Sequence, residues 1–182
     1  VYKASIYGDR DTIWQQQLPS VSGLTVKRLQ YDRQNNALFA FGAYDRARNG
    51  IAARLQPDTG QLLWLAKTTE NFHGVNFQDV AFTDNDLFVT WRHRTVGGGT
   101  PVGVLATRIN RADGTSVWEQ NYRSHPTKIT HESALDIQVD EEGVYLTGYY
   151  HSSNYGPGDW SVSKLDREDG SILFRTLVTD SH

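Results

Sequence analysis

RINRADGTSVW, at residues 108–118, is the stretch that decides the fold, because close copies recur as RLQPDTGQLLW at 54–64 and KLDREDGSILF at 164–174. In each copy a turn glycine lies between two runs of alternating apolar residues, which is the pattern of a β-hairpin. The turn glycines Gly60, Gly114 and Gly170 recur about every 55 residues, a period typical of repeat architectures. A shorter, degenerate copy opens the chain at residues 6–14.

A second hairpin precedes each of these three copies. Its sequences are LQYDRQNNALFAFG at 29–42, VAFTDNDLFVTW at 80–91 and IQVDEEGVYLTG at 137–148. Each repeat therefore holds four short strands, which we call a, b, c and d, and no stretch has the 3.6-residue apolar period of a helix. Four antiparallel strands at this period predict the blade of a β-propeller. A β-sandwich of about a dozen strands is the alternative, but it does not explain the recurrence.

The strand count predicts an all-β chain of about 3.5 four-stranded blades. The expected units are half a blade at 1–19 and whole blades at 20–68, 69–124 and 125–182. Because closed propellers have about four to eight blades, we expect a segment of a larger propeller, or a ring completed by a second copy or another subunit. The strand-d aromatics are expected to pack between neighbouring blades. They are Trp14, Trp64, Trp118 and Phe174.

Composition excludes several classes of site. The chain has 182 residues with 18 basic and 21 acidic side chains, and its net charge of −3 gives no reason to expect nucleic acid as a partner. It has no cysteine, so disulfides, thiolate metal sites and cysteine nucleophiles are excluded. No apolar run approaches the length of a membrane span. We expect no cofactor and no metal, since no pair of histidines has a metal-ligand spacing.

Two of these patterns resemble known repeats. Residues 134–148, followed by 163–170, resemble the bacterial β-propeller repeat abbreviated SBBP, and residues 58–64 are similar to the repeat of PQQ-like propellers. The resemblance implies the propeller architecture and leaves function open, because such repeats serve scaffolds, assembly factors and enzymes alike. Trp91 departs from it by standing where the other repeats have Gly42 and Gly148, and Phe174 replaces a tryptophan.

In a propeller the a–b and c–d turns share one face, here called the turn face, and the longer b–c and d–a loops share the other, the loop face. The turn face is rich in aspartate, a preferred residue of tight turns. We expect the loop face to make the functional contacts, because long loops on a rigid scaffold collect binding residues. Its candidate binding residues are Arg92, His93, Arg94, His125, His131, Tyr149, Tyr150, His151, Tyr155 and Trp160.

The sequence contains no recognisable set of catalytic residues. We therefore expect a non-enzymatic scaffold for protein–protein interaction or structural assembly, located outside the cell, on its surface or in the periplasm. Its partners would be other proteins or further blades. One alternative is a carbohydrate-binding module that uses Tyr149, Tyr150, Tyr155 and Trp160. Another is a hydrolase or quinoprotein fragment whose site lies in missing blades, although quinoprotein dehydrogenases hold their quinone under a cysteine disulfide that this chain lacks.

Overall fold

The computed structural model describes residues 3–8, 11–17, 24–44, 49–69, 72–94, 102–122, 131–151 and 159–178. These residues form fourteen strands and no helix, so within them nothing helical is long and apolar enough to cross a membrane. The strands are β1 (Lys3–Gly8), β2 (Asp11–Gln17), β3 (Thr25–Asp32), β4 (Ala37–Tyr44), β5 (Asn49–Leu55), β6 (Leu62–Lys67), β7 (His73–Phe82), β8 (Asp86–Arg94), β9 (Val102–Asn110), β10 (Ser116–Tyr122), β11 (His131–Val139), β12 (Val144–His151), β13 (Asp159–Leu165) and β14 (Ile172–Val178).

The strands pair antiparallel in chain order, as the repeat predicts. β1 and β2 form a two-stranded sheet, and β3–β6, β7–β10 and β11–β14 form three four-stranded units, which we call blades 1, 2 and 3. A single parallel bridge between Val102 and His131 joins blade 2 to blade 3. The all-β fold class and its four-stranded repeat are therefore confirmed.

The first strand of each blade contains a β-bulge at the same place. Opposite the bulge, a Cβ atom on Gly42 would lie 1.9 Å from the carbonyl oxygen of Thr25, so only glycine fits there. Gly148 has the same role in blade 3. Blade 2 carries Trp91 at this position, and its β7 has a second register shift near its start, where Gly74 has a φ of 61°.

The hydrophobic core lies between the sheets. One cluster joins blades 1 and 2 and includes Phe39, Phe41 and Trp91, while a second joins blades 2 and 3 around Phe88 and Trp118. A third cluster covers the other face of blade 1. Because the sheets stack face to face, the packing at each junction depends on the side chains that the two facing blades contribute to it.

Candidate functional site

The junction between blades 1 and 2 contains a docking arrangement on the turn face. The Trp64 indole donates a hydrogen bond to the backbone carbonyl oxygen of Arg111, 3.1 Å away, and Nη1 of Arg54 donates to the same oxygen at 3.3 Å. Gly114 lies directly beneath the indole, since a Cβ atom there would be 2.7 Å from the ring. A carbonyl has two lone pairs, so one oxygen satisfies both donors.

The junction between blades 2 and 3 repeats this arrangement. Trp118 and Nη1 of Arg108 donate to the carbonyl oxygen of Arg167 at 2.9 and 2.8 Å, and Gly170 lies beneath the Trp118 ring. The expectation that strand-d aromatics pack between blades is thus confirmed for both tryptophans. The side chain of Trp14 lies outside the described residues.

Blade 3 has an exposed flank on the side facing away from blade 2. Phe174 is at the docking position of Trp64 and Trp118; it is 45% exposed, whereas each tryptophan is 8% exposed. Lys164 is at the position of Arg54 and Arg108. Its Nζ pairs with Oε2 of Glu142 at 3.2 Å. We define the blade-3 flank as Trp160, Lys164 and Phe174 together with the residues of β13 and β14 that lie between them.

Arg92, His93 and Arg94 are not in a loop, so that expectation is wrong for them. β8 continues to Arg94, because it pairs with β9 along its whole length. His93 is fully buried: its ring centroid lies 3.7 Å from that of Phe72, and Nε2 is 2.9 Å from Oδ1 of Asn121. His93 is therefore an interior residue, packed against Phe72 and Asn121.

The remaining candidates also belong mainly to strands. Tyr150 is buried in the strand β12, against the expectation that it lies in a loop on the loop face; Tyr149, also in β12, is half-buried. The backbone register places His131 of β11 directly opposite His151 of β12, a pairing that the sequence did not indicate. Trp160 is 61% exposed. His125 and Tyr155 lie outside the described residues.

A polar pocket between blades 2 and 3 was not anticipated. Oε2 of buried Glu132 accepts a hydrogen bond from Nη2 of Arg175 at 3.0 Å, and Nε of Arg175 donates to Oγ of Ser163 at 3.2 Å. The pocket has a volume of about 20 Å³, which is room for one water molecule.

The sequence indicates this pocket through the residue at one position of strand b, which is Trp91 in blade 2 and Gly148 in blade 3. In blade 2 the Trp91 ring fills the space, with its indole donating to Oγ1 of Thr107 at 2.8 Å. In blade 3 the equivalent residue is Gly148, which lines the pocket. One repeat position therefore decides whether a junction is filled by an aromatic ring or contains an ion pair.

Two carboxyl groups meet where the inner strands of blades 2 and 3 approach each other. Oδ2 of Asp79 accepts a hydrogen bond from the backbone N–H of Ile137 at 3.3 Å. Burial, followed by the hydrogen bond and charge of Asp136, raises the pKa of Asp79 above its ordinary value. Among the described residues no three His, Asp or Glu side chains are grouped so as to hold a metal ion.

No protein-family model matches the chain, and no curated protein matches it either. Among solved structures it is similar to a quinohemoprotein alcohol dehydrogenase from Pseudomonas putida, with 13% sequence identity and a TM-score of 0.51. The match covers 93% of this chain and 22% of that one. The likeness shows the β-propeller fold, which the repeat predicts, and this chain spans about a fifth of the length of the enzyme.

The described residues do not fit a pyrroloquinoline quinone site of the kind that the resemblance implies. The chain lacks cysteine, and the indoles of Trp64 and Trp118 are engaged in blade docking.

Proposed function

We propose that this chain is a non-enzymatic β-propeller scaffold whose third blade docks onto a further propeller blade, in an assembly that binds other proteins. The observation that carries the proposal is the exposure of Trp160 and Phe174 on the blade-3 flank. At both positions the preceding blades bury their residue against the next blade.

The exposure of Trp160 and Phe174 differs from ordinary surface exposure, because the equivalent residues of the other blades are buried. Trp160 is equivalent to Gly50, which contacts the Trp91 ring, and to Val104, which is 4% exposed in the core between blades 2 and 3. Leu173, by contrast, is exposed in the same way as its equivalents in blades 1 and 2. Leu173 therefore belongs to the outer rim of the propeller, whereas the flank is a surface of the kind that contacts protein.

The two existing junctions indicate what would bind to the flank. In both, an aromatic ring covers a turn glycine, and a cationic side chain donates to a carbonyl oxygen of the same turn. Phe174 supplies the ring without an N–H, and Lys164 supplies the cation. The occupant would thus be a blade whose c–d hairpin has a glycine turn, either in a longer form of this protein or in another propeller.

The test compares Phe174→Glu with Leu173→Glu in the complete protein, by urea unfolding. If a blade covers the flank, burying a carboxylate at position 174 lowers the free energy of unfolding by several kcal/mol, while the rim variant changes it by about 0.5 kcal/mol or less. Equal, small effects of the two substitutions would contradict the proposal.

A carbohydrate-binding role is the second candidate, favoured by the exposed indole of Trp160. A glycan array distinguishes it from assembly: saturable sugar binding that Trp160→Ala abolishes supports this role.

An enzyme role has only the fold likeness to a quinohemoprotein in its favour, and titration with pyrroloquinoline quinone would test it. Location outside the cytoplasm stays a prediction, which fractionation of the source cells would check.

A further inference from the structure

We propose that a groove on the turn face, between blades 1 and 2, binds a short saccharide. The groove consists of two adjoining hollows of about 370 and 290 Å³ that share Asn35, Asp84 and Arg111. Each is of the size at which small-molecule sites begin, about 300 Å³. This site lies on the opposite face from the loops expected to make contacts, and it is independent of the blade-3 flank.

The a–b hairpin of blade 1 departs from the repeat by one extra residue pair. Asp32 pairs with Ala37 beyond the Tyr31–Leu38 pair, whereas the equivalent hairpins of blades 2 and 3 end at the pairs Phe82–Leu87 and Val139–Val144. The turn of this longer hairpin includes Asn36, whose φ of 44° is unusual for a residue other than glycine. A hairpin that keeps an unfavourable backbone conformation and an extra residue pair is a candidate for a binding role.

Hydrogen bonds hold the end of this longer hairpin in one shape. The Tyr31 hydroxyl donates to Oδ1 of Asn36 at 2.8 Å, and the side chain of Asn35 donates to Oδ2 of Asp32 at 3.0 Å. Asp32 is itself paired with the buried guanidinium of Arg111, which also donates to the carbonyl oxygen of Thr83 at 2.9 Å. The wall and floor of the groove are therefore fixed before any ligand binds, which limits the entropy cost of binding.

The lining side chains match the chemistry of a sugar. Tyr31 is 49% exposed and presents an aromatic ring as a stacking surface, held in place by its hydroxyl. Amides supply both donors and acceptors, as sugar hydroxyls require. The amide side chains that line the groove are Gln30, Gln34, Asn35, Asn85 and Asn110.

Charge in the groove is nearly balanced. The Arg111 guanidinium and the Asp32 carboxylate neutralise each other, which leaves Arg33 and Arg54 against Asp84. A groove with this balance does not select a strongly charged ligand such as a polyphosphate. A neutral or weakly acidic saccharide is the class that fits both the amides and the ring.

The experiment is saturation-transfer difference NMR and calorimetry of the complete protein with cellotetraose, maltotetraose, chitotetraose and tetragalacturonic acid. We expect at least one of these probes to bind, and Tyr31→Ala and Asn85→Ala each to weaken it about tenfold or more, as loss of one good contact does. Tyr31→Phe keeps the ring and is expected to retain most of the binding.

Leu173→Ala is the matched control, since it removes an exposed apolar side chain on the outer rim and is expected to leave binding unchanged. Far-ultraviolet circular dichroism and urea unfolding check that each variant is folded. If no probe binds, or if Trp160→Ala abolishes binding while Tyr31→Ala preserves it, the proposal is overturned. The absence of probe binding does not bear on whether the flank docks a blade, which the Phe174→Glu comparison tests, whereas sugar binding lost in Trp160→Ala would support the carbohydrate role of the flank.

Discussion

The indole N–H of Trp64 donates a hydrogen bond to the backbone carbonyl oxygen of Arg111 in the next blade, 3.1 Å away. This contact links the last residue of one repeat motif to the turn of the following one. It explains why a turn glycine and a strand-d aromatic recur together: the glycine of each turn leaves room for the ring of the preceding blade.

Gly114→Ala tests the close approach. Its φ of 79° is unfavourable for alanine, and the new Cβ would lie 2.7 Å from the Trp64 ring. Left-handed strain costs about 1–2 kcal/mol, and displacing the ring adds to it, so we expect urea unfolding to show a loss of about 2 kcal/mol or more. Ala112→Gly, in the same turn but exposed, is the control and should change stability far less. A neutral effect of Gly114→Ala would show that the ring does not pack on the turn.

A double-mutant cycle tests whether Trp64 and Arg54 share one acceptor. Each donates to the Arg111 carbonyl oxygen, so removing one leaves the oxygen satisfied by the other. We expect Trp64→Phe or Arg54→Met to cost about 0.5–1.5 kcal/mol singly in urea unfolding. The double variant should cost more than the sum, because the carbonyl then has no partner. Strict additivity would argue against a shared acceptor.

Gly148→Ala tests the bulge opposite strand b. The added Cβ would lie 1.8 Å from the carbonyl oxygen of Ser133, a backbone atom that cannot move without disturbing β11. We expect a loss of about 2 kcal/mol or more in the free energy of unfolding. Thr147→Ala, at an exposed neighbouring position, serves as the control. If both substitutions lower the free energy of unfolding equally little, β11 and β12 lie further apart than the 1.8 Å contact requires.

The pair Asp79 and Asp136 gives a pH prediction. The pKa of Asp79 is raised above its ordinary 3.8, first by burial and then by Asp136. The folded state therefore keeps a proton that the unfolded state has lost, and the free energy of unfolding falls as pH rises from 3.8 through the raised pKa. Asp79→Asn removes this titration. Chemical denaturation across this range should show wild type losing stability relative to the variant. The opposite slope would contradict the raised pKa.

The strands and hairpins were predictable because alternating apolar residues and turn glycines are local signals. The lengths of strands b and c were not. Arg92, His93 and Arg94 look like a polar loop, yet pairing with β9 extends β8 through them. His93 is buried by Phe72, which precedes β7, and by Asn121 of β10. These partners are 21 and 28 positions away in the sequence, so the local pattern around His93 does not predict its burial.

The pocket between blades 2 and 3 shows the same limit. The sequence revealed that Trp91 and Gly148 differ at one repeat position, but not the structural consequence of that difference. Strand pairing within blade 3 brings Glu132 of β11 and Arg175 of β14 beside Gly148, and Val104 and Tyr122 of blade 2 line the other side of the pocket. Glu132 and Arg175 are 43 positions apart, beyond the reach of local sequence signals.

Photo-crosslinking from position 174 tests the scaffold proposal most directly. A benzophenone side chain replaces Phe174 in the complete protein, and a second sample carries it at Leu173 on the outer rim. After irradiation, the crosslinked peptides are identified by mass spectrometry. The account predicts that position 174 crosslinks to the glycine turn of another propeller blade, and that position 173 does not. Equal crosslinking from the two positions, or a product from 174 that lies outside any blade hairpin, would contradict it.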